Sequence, residues 1–231
     1  MTRRADGTQH RATLTRAYGD GDNYYARHGP HYRLLPGDIG YADLARLTSD
    51  EVDAMFDALS KTRAIVFDMR GYPNGTGRLV AQRIHTRSGD VLAEFRTPLV
   101  TARTAGRGAM VRVLQTLSTS DKPSYLGKVV VLIDDRAVSA GEHTCLAIEA
   151  ASGATFIGSP TAGTDGEETY VRLPGGLEMR FTGQEVRHAD GRQLQQIGIQ
   201  PQITVRPTLP GLRAGRDEVL DRAVRYIQTG K

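Results

Sequence analysis

Lysine and cysteine are scarce in this chain, aromatic side chains are few, and long apolar runs are missing; each shortage narrows what the protein can be. A single cysteine, Cys145, excludes an internal disulfide. It lies on an apolar stretch, where it reads as a small buried hydrophobe rather than a reactive thiol. No apolar run approaches the roughly 20 residues of a membrane-spanning helix. The opening stretch, MTRRADGTQHRATLTR, has charge but no apolar core, so no signal peptide is read in this chain. Lysine occurs only at Lys61, Lys122, Lys128 and Lys231, so the net charge of +4 is carried mostly by arginine. The arginines are scattered singly, with few aromatics between them. That pattern belongs to solvated faces and not to a nucleic-acid track. The pair His28 and His31 lacks further Cys, His or acidic partners at a defined spacing, so it is not read as a metal site.

A length of 231 residues allows one sizeable core, with an arm or small domain besides. The stretch around which the rest is organised is Val129 to Ala147. Val129-Val130-Val131-Leu132-Ile133 is short, uninterrupted and β-branched, as in a strand covered on both faces. Asp134-Asp135 end it, and from Ala140 a helical composition runs to Gly153. Ser139 sits at the corner between strand and helix. Two jobs are open to it. Ser139-Ala140-Gly141-Glu142 fits a capping box, in which the hydroxyl accepts from a helical N–H and the glutamate reaches back. A corner at a helix N-terminus also exposes the hydroxyl beside unpaired backbone N–H groups, the setting of a nucleophile and its oxyanion hole.

Other elements follow the same reasoning. Ile39 to Leu44 reads as a strand, and Thr48-Ser49-Asp50-Glu51 as a capping box opening a helix with Val52, Met55, Phe56 and Leu59 on its apolar face. Ala64 to Asp68 is a second buried strand, followed by a glycine-rich loop, Met69 to Gly77, that is neither a P-loop nor a dinucleotide turn. Leu92 to Leu99 reads as a strand, Thr101 to Gly108 as an exposed loop and Met110 to Leu117 as a short helix. A short strand is also read at Ala12 to Thr15. After Ala154 to Gly158 comes a turn-rich loop, Ser159 to Gly166. Two hairpins are expected next, Tyr170–Leu173 with Leu177–Phe181 and Glu185–His188 with Gln193–Ile197. Ile203 to Val205 makes a last strand and Arg216 to Gln228 a terminal amphipathic helix. Strand–helix units before residue 160 and hairpins after it predict an α/β core with an antiparallel appendage.

The order of these pieces resembles the C-terminal processing (tail-specific) serine peptidases, a family that includes tricorn protease and the repeats of interphotoreceptor retinoid-binding protein. Ile39-Gly40-Tyr41 with Leu44 resembles the family's I-G-Y-I-x-L strand. Asp68-Met69-Arg70-Gly71-Tyr72-Pro73-Asn74-Gly75 is similar to its D-x-R-G-N-x-G-G loop. Val138-Ser139-Ala140-Gly141-Glu142 resembles its A-S-A-S-E corner. Phe156 to Gly163, then Gly191 and Gly198-Ile199-Gln200-Pro201, are similar to its V-G-E-x-T-x-G loop and its closing motif.

The resemblance covers about residues 33 to 206. It implies a crotonase-like (ClpP-like) ββα spiral with C-terminal β-hairpins and a terminal helix, over residues 33–231. Residues 1–32 would be an N-terminal arm similar to the tail of a PDZ module. Ser139 would be the nucleophile, and the N–H groups of Gly71 and Ala140 the oxyanion hole. The matched loops would supply substrate contacts through Arg70, Tyr72, Thr161, Gly163 and Thr164. The expected partner is a peptide or unfolded protein substrate, without nucleic acid, metal or organic cofactor; a homo-oligomer stays open. Relatives are commonly periplasmic or secreted.

The departures bear on the base. Where the processing peptidases carry a lysine this chain has Thr164, and none of its four lysines is near that loop. The tricorn-like branch takes a histidine from an upstream segment that this chain does not contain, with a glutamate near the place of Gln195 or Gln196. Within the chain the candidate base is His143, four residues after Ser139 and therefore on the same helical face. A helix N-terminus disfavours the charged imidazole and favours a ring able to take a proton. An i, i+4 pair seldom aligns a hydroxyl with a ring nitrogen, so a packing role for His143 stands beside the catalytic one. The activities left open are a serine endopeptidase domain, a catalytically inactive peptide- or ligand-binding domain of the same fold, and, as a weaker idea, an acyl-CoA enzyme of crotonase type.

Overall fold

In this computed structural model residues 2–3, 8–11, 13, 27–99 and 109–231 are described, and the chain divides into Met1–Pro30 and His31–Lys231. In the first unit β1 (Thr2–Arg3) and β2 (Gln9–His10) pair antiparallel. The strand read at Ala12 to Thr15 lies largely outside the described residues, and the loop at Thr101 to Gly108 wholly so.

The second unit begins with β3 (Tyr32–Leu35), β4 (Ile39–Asp43), α1 (Glu51–Leu59), β5 (Ala64–Asp68) and α2 (Gly77–Arg83). After β6 (Val91–Pro98) and β7 (Met110–Thr116) come β8 (Lys128–Ile133), α3 (Ala140–Ser152) and β9 (Thr155–Gly158). The chain closes with β10 (Glu168–Leu173), β11 (Leu177–Thr182), β12 (Glu185–His188), β13 (Ile203–Thr204), α4 (Leu209–Arg213) and α5 (Glu218–Thr229). A six-stranded sheet runs in the order β13-β9-β8-β5-β4-β3. All its neighbours are parallel except the β3–β4 pair at one edge.

The apolar runs explain the layers. Successive side chains of a strand face opposite ways. Ile65 and Phe67 of β5, with Val129, Val131 and Ile133 of β8, pack into one cluster with residues of α1, α2 and α3. Ala64 and Val66, with Val130 and Leu132, pack into another with Val219, Ala223 and Ile227 of α5. Both faces of the central strands are thus covered, as their composition requires. On α1, Val52, Met55, Phe56 and Leu59 are buried, the predicted face. Its capping box forms only in part: Thr48 donates its N–H and its hydroxyl to Glu51 Oε2, and Asp50, the N-cap, makes no side-chain cap.

A three-stranded antiparallel sheet, β12-β6-β7, and the separate β10–β11 hairpin form the appendage. One expectation fails here and another holds only in part. Residues 110–116 are a strand and not a helix, because Val111 and Val113 suit a pleated surface and all of β7 finds partners on β6. The second hairpin forms only beside its turn: β12 pairs with β6, and its second arm is joined to it by one antiparallel bridge, Arg187 to Gln193, with His188 N–H donating to Arg192 O and Leu194 N–H to Val186 O. Residues beyond Leu194 are drawn off the strand path: the side chain of Gln195 takes the β12 N–H of Val186, and Gln196 has φ 61°.

Candidate active site

Ser139 is the N-cap of α3, with φ 48° and ψ −115°, a backbone conformation rare outside glycine. The capping box read in the sequence does not form. Ser139 makes no side-chain cap bond, and Glu142 is fully buried and turned to another loop. The backbone tightens around the corner as Gly141 donates to Val138 O at 2.8 Å and His143 to Ser139 O at 2.9 Å. The N–H of Ala140 has no backbone acceptor among the described residues. A hydroxyl free of its cap and an open amide at a helix N-terminus therefore stand side by side.

Glu142 is the peg on which the 161–166 loop hangs. Its Oε1 accepts from the Thr161 hydroxyl at 2.5 Å and from Gly163 N–H at 2.6 Å, and its Oε2 from Thr164 N–H at 2.7 Å. Thr161 Oγ1 in turn accepts from Ile199 N–H at 2.7 Å. The buried carboxylate is thus met by donors on both oxygens, as burial of a charge demands. Thr161, Gly163 and Thr164, expected as substrate contacts, hold the loop to α3, Thr164 chiefly through its N–H while the residue itself stays exposed. Gly163 must be glycine, because its φ is 72° and a Cβ there would press on the backbone nitrogens of residues 196–198.

The next residue of that loop, Asp165, turns back to α3. His143 Nδ1 lies 3.1 Å from Asp165 Oδ2, with the carboxylate side chain 9% and the imidazole 26% exposed. Asp165 Oδ1 accepts from Gly166 N–H at 2.9 Å, and the Asp165 carbonyl accepts from Gln195 Nε2 at 2.6 Å. The His143 ring also packs against Phe95, with centroids 5.7 Å apart.

The loop after β5 is held from behind. Arg70 is buried and forms a fork with Asp68, Nε to Oδ1 at 2.9 Å and Nη2 to Oδ2 at 2.6 Å. A second fork reaches Asp217, at 2.8 and 2.6 Å. Burial alone would lower the Arg70 pKa, but Asp68 and Asp217 outweigh it and push it up. Burial likewise raises Asp217, and the Arg70 pair reverses this, leaving the carboxyl below its ordinary range. Arg70, expected as a substrate contact, is thus the anchor of its loop in this structure. Gly71 also departs from expectation: its N–H donates to Met69 O at 2.9 Å, so it is not an open oxyanion donor. The loop nevertheless comes close to α3. A Cβ on Gly141 would lie 3.1 Å from Gly71 O, which is why the helix carries glycine there.

Two depressions meet at this corner. One, of about 430 Å³, is lined by Ser139, His143, Asp165, Phe95, Gln115 and Tyr170. The other, of about 300 Å³, continues past Ala140 and His143 to Tyr72, Pro73, Leu92 and Ala147. Tyr72 is exposed and lines this second wall. Gln115 belongs to both, and its Oε1 is buried without a hydrogen-bond partner. Of the expected catalytic residues, Ser139, Ala140 and His143 converge and Gly71 lies behind them. His188, at the end of β12, is 3% exposed and pairs with Glu149 at 2.5 Å. Reasoning from sequence missed Asp165, which immediately follows the position matched to the family lysine. It also missed Gln115, hidden by the helical reading of β7.

Residues 38–205 match peptidase family S41. A carboxy-terminal-processing protease of Bartonella bacilliformis is 30% identical over 200 residues, 82% of this chain and 43% of that protein. Carboxy-terminal processing protease CtpA of Bacillus subtilis is 25% identical over 169 residues, 72% of this chain and 34% of that protein. This chain thus spans less than half the length of either curated relative. Among solved structures, a candidate peptidase from Parabacteroides merdae superimposes with a TM-score of 0.71 at 20% identity, covering 87% of this chain and 64% of that one. It shares the mixed α/β fold with its mostly parallel sheet. On the extent of the family match and the identity to the Bartonella protein, the chain belongs to peptidase family S41.

Proposed function

We propose that this chain carries the acyl-transfer site of a serine peptidase, with Ser139 as nucleophile, Ala140 N–H as an oxyanion donor and His143 as general base. The backbone of Ser139 carries the reading. A residue held at φ 48° and ψ −115° stores about 1–3 kcal/mol of strain. The capping bond that would offset the strain is not made. Strain that leaves a hydroxyl unspent, beside an open amide and within a cleft, is arranged for reaction and not for helix stability.

Oγ attacks the carbonyl carbon of a bound peptide, and its proton passes to His143 Nε2. The carbonyl electron pair moves to the oxygen, which faces Ala140 N–H and the positive end of α3. Collapse of that adduct breaks the C–N bond as His143 returns the proton to the leaving amine. Water then repeats the sequence on the acyl-enzyme and restores Ser139. Ser139 immediately precedes α3, His143 lies on its first turn, and both line the same depression. Hydroxyl and ring meet directly or through one water when substrate is bound. Gly71 N–H joins as a second donor on leaving Met69 O, a change that glycine makes cheaply.

The substrate is an extended peptide or unfolded protein. β7 pairs only with β6 among the described residues, so its other edge can add a peptide strand beside the cleft. Cleavage near a carboxy terminus, the activity named for the relatives, is the reading proposed for the protein to which this chain belongs. The parallel sheet and its helices are read as a crotonase-like ββα spiral.

Intact mass after treatment with a fluorophosphonate tests the proposal on this chain and on Ser139→Ala. One adduct on the wild type and none on the variant is the expected result. A wild-type chain that stays unlabelled would refute a complete site here and favour the binding-domain alternative.

A further inference from the structure

We propose that Asp165 is the positioning residue of the base: it fixes the His143 ring in the tautomer that carries hydrogen on Nδ1 and leaves the Nε2 lone pair for the Ser139 proton. This deepens the serine peptidase reading and rests on it for its meaning, though not for its test.

Three observations converge on it. An ionised carboxylate only accepts hydrogen bonds, so a ring nitrogen 3.1 Å from Asp165 Oδ2 carries the hydrogen, and the lone pair is on the other nitrogen. Asp165 is itself held rigidly. Its second oxygen takes Gly166 N–H and its carbonyl takes Gln195 Nε2, while Gln195 also receives Val186 N–H from β12. Finally, the loop that brings Asp165 is docked on the same helix that carries Ser139 and His143, because Glu142 holds Thr161, Gly163 and Thr164. One turn of α3 therefore presents the nucleophile, the base and the peg that delivers the base's partner. The division of labour is that of a Ser-His-Asp triad, recognised by roles and not by sequence order. It also answers the missing lysine, since the loop that offers Thr164 where relatives carry an amine supplies, one residue later, the carboxylate that a histidine base requires.

The test is spectroscopic. Long-range ¹H–¹⁵N spectra of protein with ¹⁵N-labelled histidine report the tautomer of each ring at about pH 8.5, where imidazoles are ordinarily neutral. The His143 signals are assigned by their loss in His143→Gln. Wild-type His143 is expected as the Nδ1–H form, and Asp165→Asn is expected to shift it toward Nε2–H. In the same variant, fluorophosphonate labelling at saturating probe is expected to slow by about 10²–10⁴-fold, with half-saturation unchanged. A wild-type ring in the Nε2–H form overturns the proposal whether or not the variant folds. A folded Asp165→Asn protein with unchanged tautomer overturns it equally. If the tautomer depends on Asp165 but the wild type never labels, the positioning of His143 stands and the acyl-transfer reading falls.

Discussion

Ser139 shows how one residue can be worth more to the site than to the fold. Its φ of 48° and ψ of −115° resemble the first central position of a type II′ turn, where glycine is at ease and a Cβ is crowded. Ser139→Ala removes the hydroxyl and keeps the crowding. Ser139→Gly removes both. Both variants are expected to be dead toward fluorophosphonate, while Ser139→Gly unfolds at higher urea than Ser139→Ala by the equivalent of about 1–3 kcal/mol. Equal stabilities would mean that the corner holds no strain and would remove the observation on which the nucleophile assignment rests. Glu142 makes the complementary point. The S-x-x-E pattern places a glutamate where it caps its own helix, yet this one is fully buried and holds a different loop. Helical spacing fixes where such a side chain starts; a fully buried carboxylate goes to the densest set of donors, wherever in the sequence they lie.

Between elements, the Asp68–Arg70–Asp217 forks couple the loop beside the catalytic corner to the far face of the sheet. Asp217 caps α5 by accepting from Leu220 N–H, so a single carboxylate serves the helix start and the loop. Replacing it by alanine forfeits a cap worth about 1 kcal/mol and leaves Arg70 with Asp68. Asp217 is 39% exposed, so the screened share of the pair is modest. Asp217→Ala is expected to lower the urea midpoint by the equivalent of about 2 kcal/mol and to slow Ser139 labelling several-fold as the Gly71 loop loosens; an unchanged rate would show that the loop needs no such anchor. The parts of this architecture that sequence makes legible are those whose signal is local. β5 and β8 are short β-branched runs, α1 and α5 have regular apolar faces, and the corner lies where one pattern gives way to the other. β7 is not legible in that way. Met110 to Thr116 alternates weakly, and its strand character comes from pairing along β6, a partner beyond any local window. Residues 193–197 mislead for the opposite reason: a plausible strand is cut short when Gln195 spends its side chain on Val186 and Asp165. Ser139, Ala140 and His143 share one turn and could be read together, whereas Asp165 reaches them only through tertiary docking.

For the whole molecule, the arginine-rich composition becomes a statement about acid. Hydrogen bonds from His31 and then from Thr48 hold Glu51 down to about 2. Arg112 and then Arg96 hold Glu94 down to about 2. Asp217 lies below its ordinary value because Arg70 outweighs its burial, and Glu149 because His188 and Arg192 do the same. Each of these groups binds a proton more weakly folded than unfolded. The unfolded chain therefore takes up more protons as pH falls below the ordinary carboxyl range of about 4. The sign is fixed: the stabilisation is complete above that range and is lost as pH descends through it toward the folded values near 2. Each extra proton lowers the folding constant by up to about tenfold per pH unit. Several such carboxyls share the window, so the urea midpoint is expected to be flat from about pH 6 to 5 and to fall steeply from about pH 4.5 to 2.5. Glu51→Gln removes one of these titrations, so it is expected to be less stable near neutrality and to show a shallower fall below about pH 4. A midpoint that stays level to pH 3, or a variant with the full wild-type slope, would show that these hydrogen-bonded pairs do not survive in solution and do not hold the carboxylates down as the geometry implies.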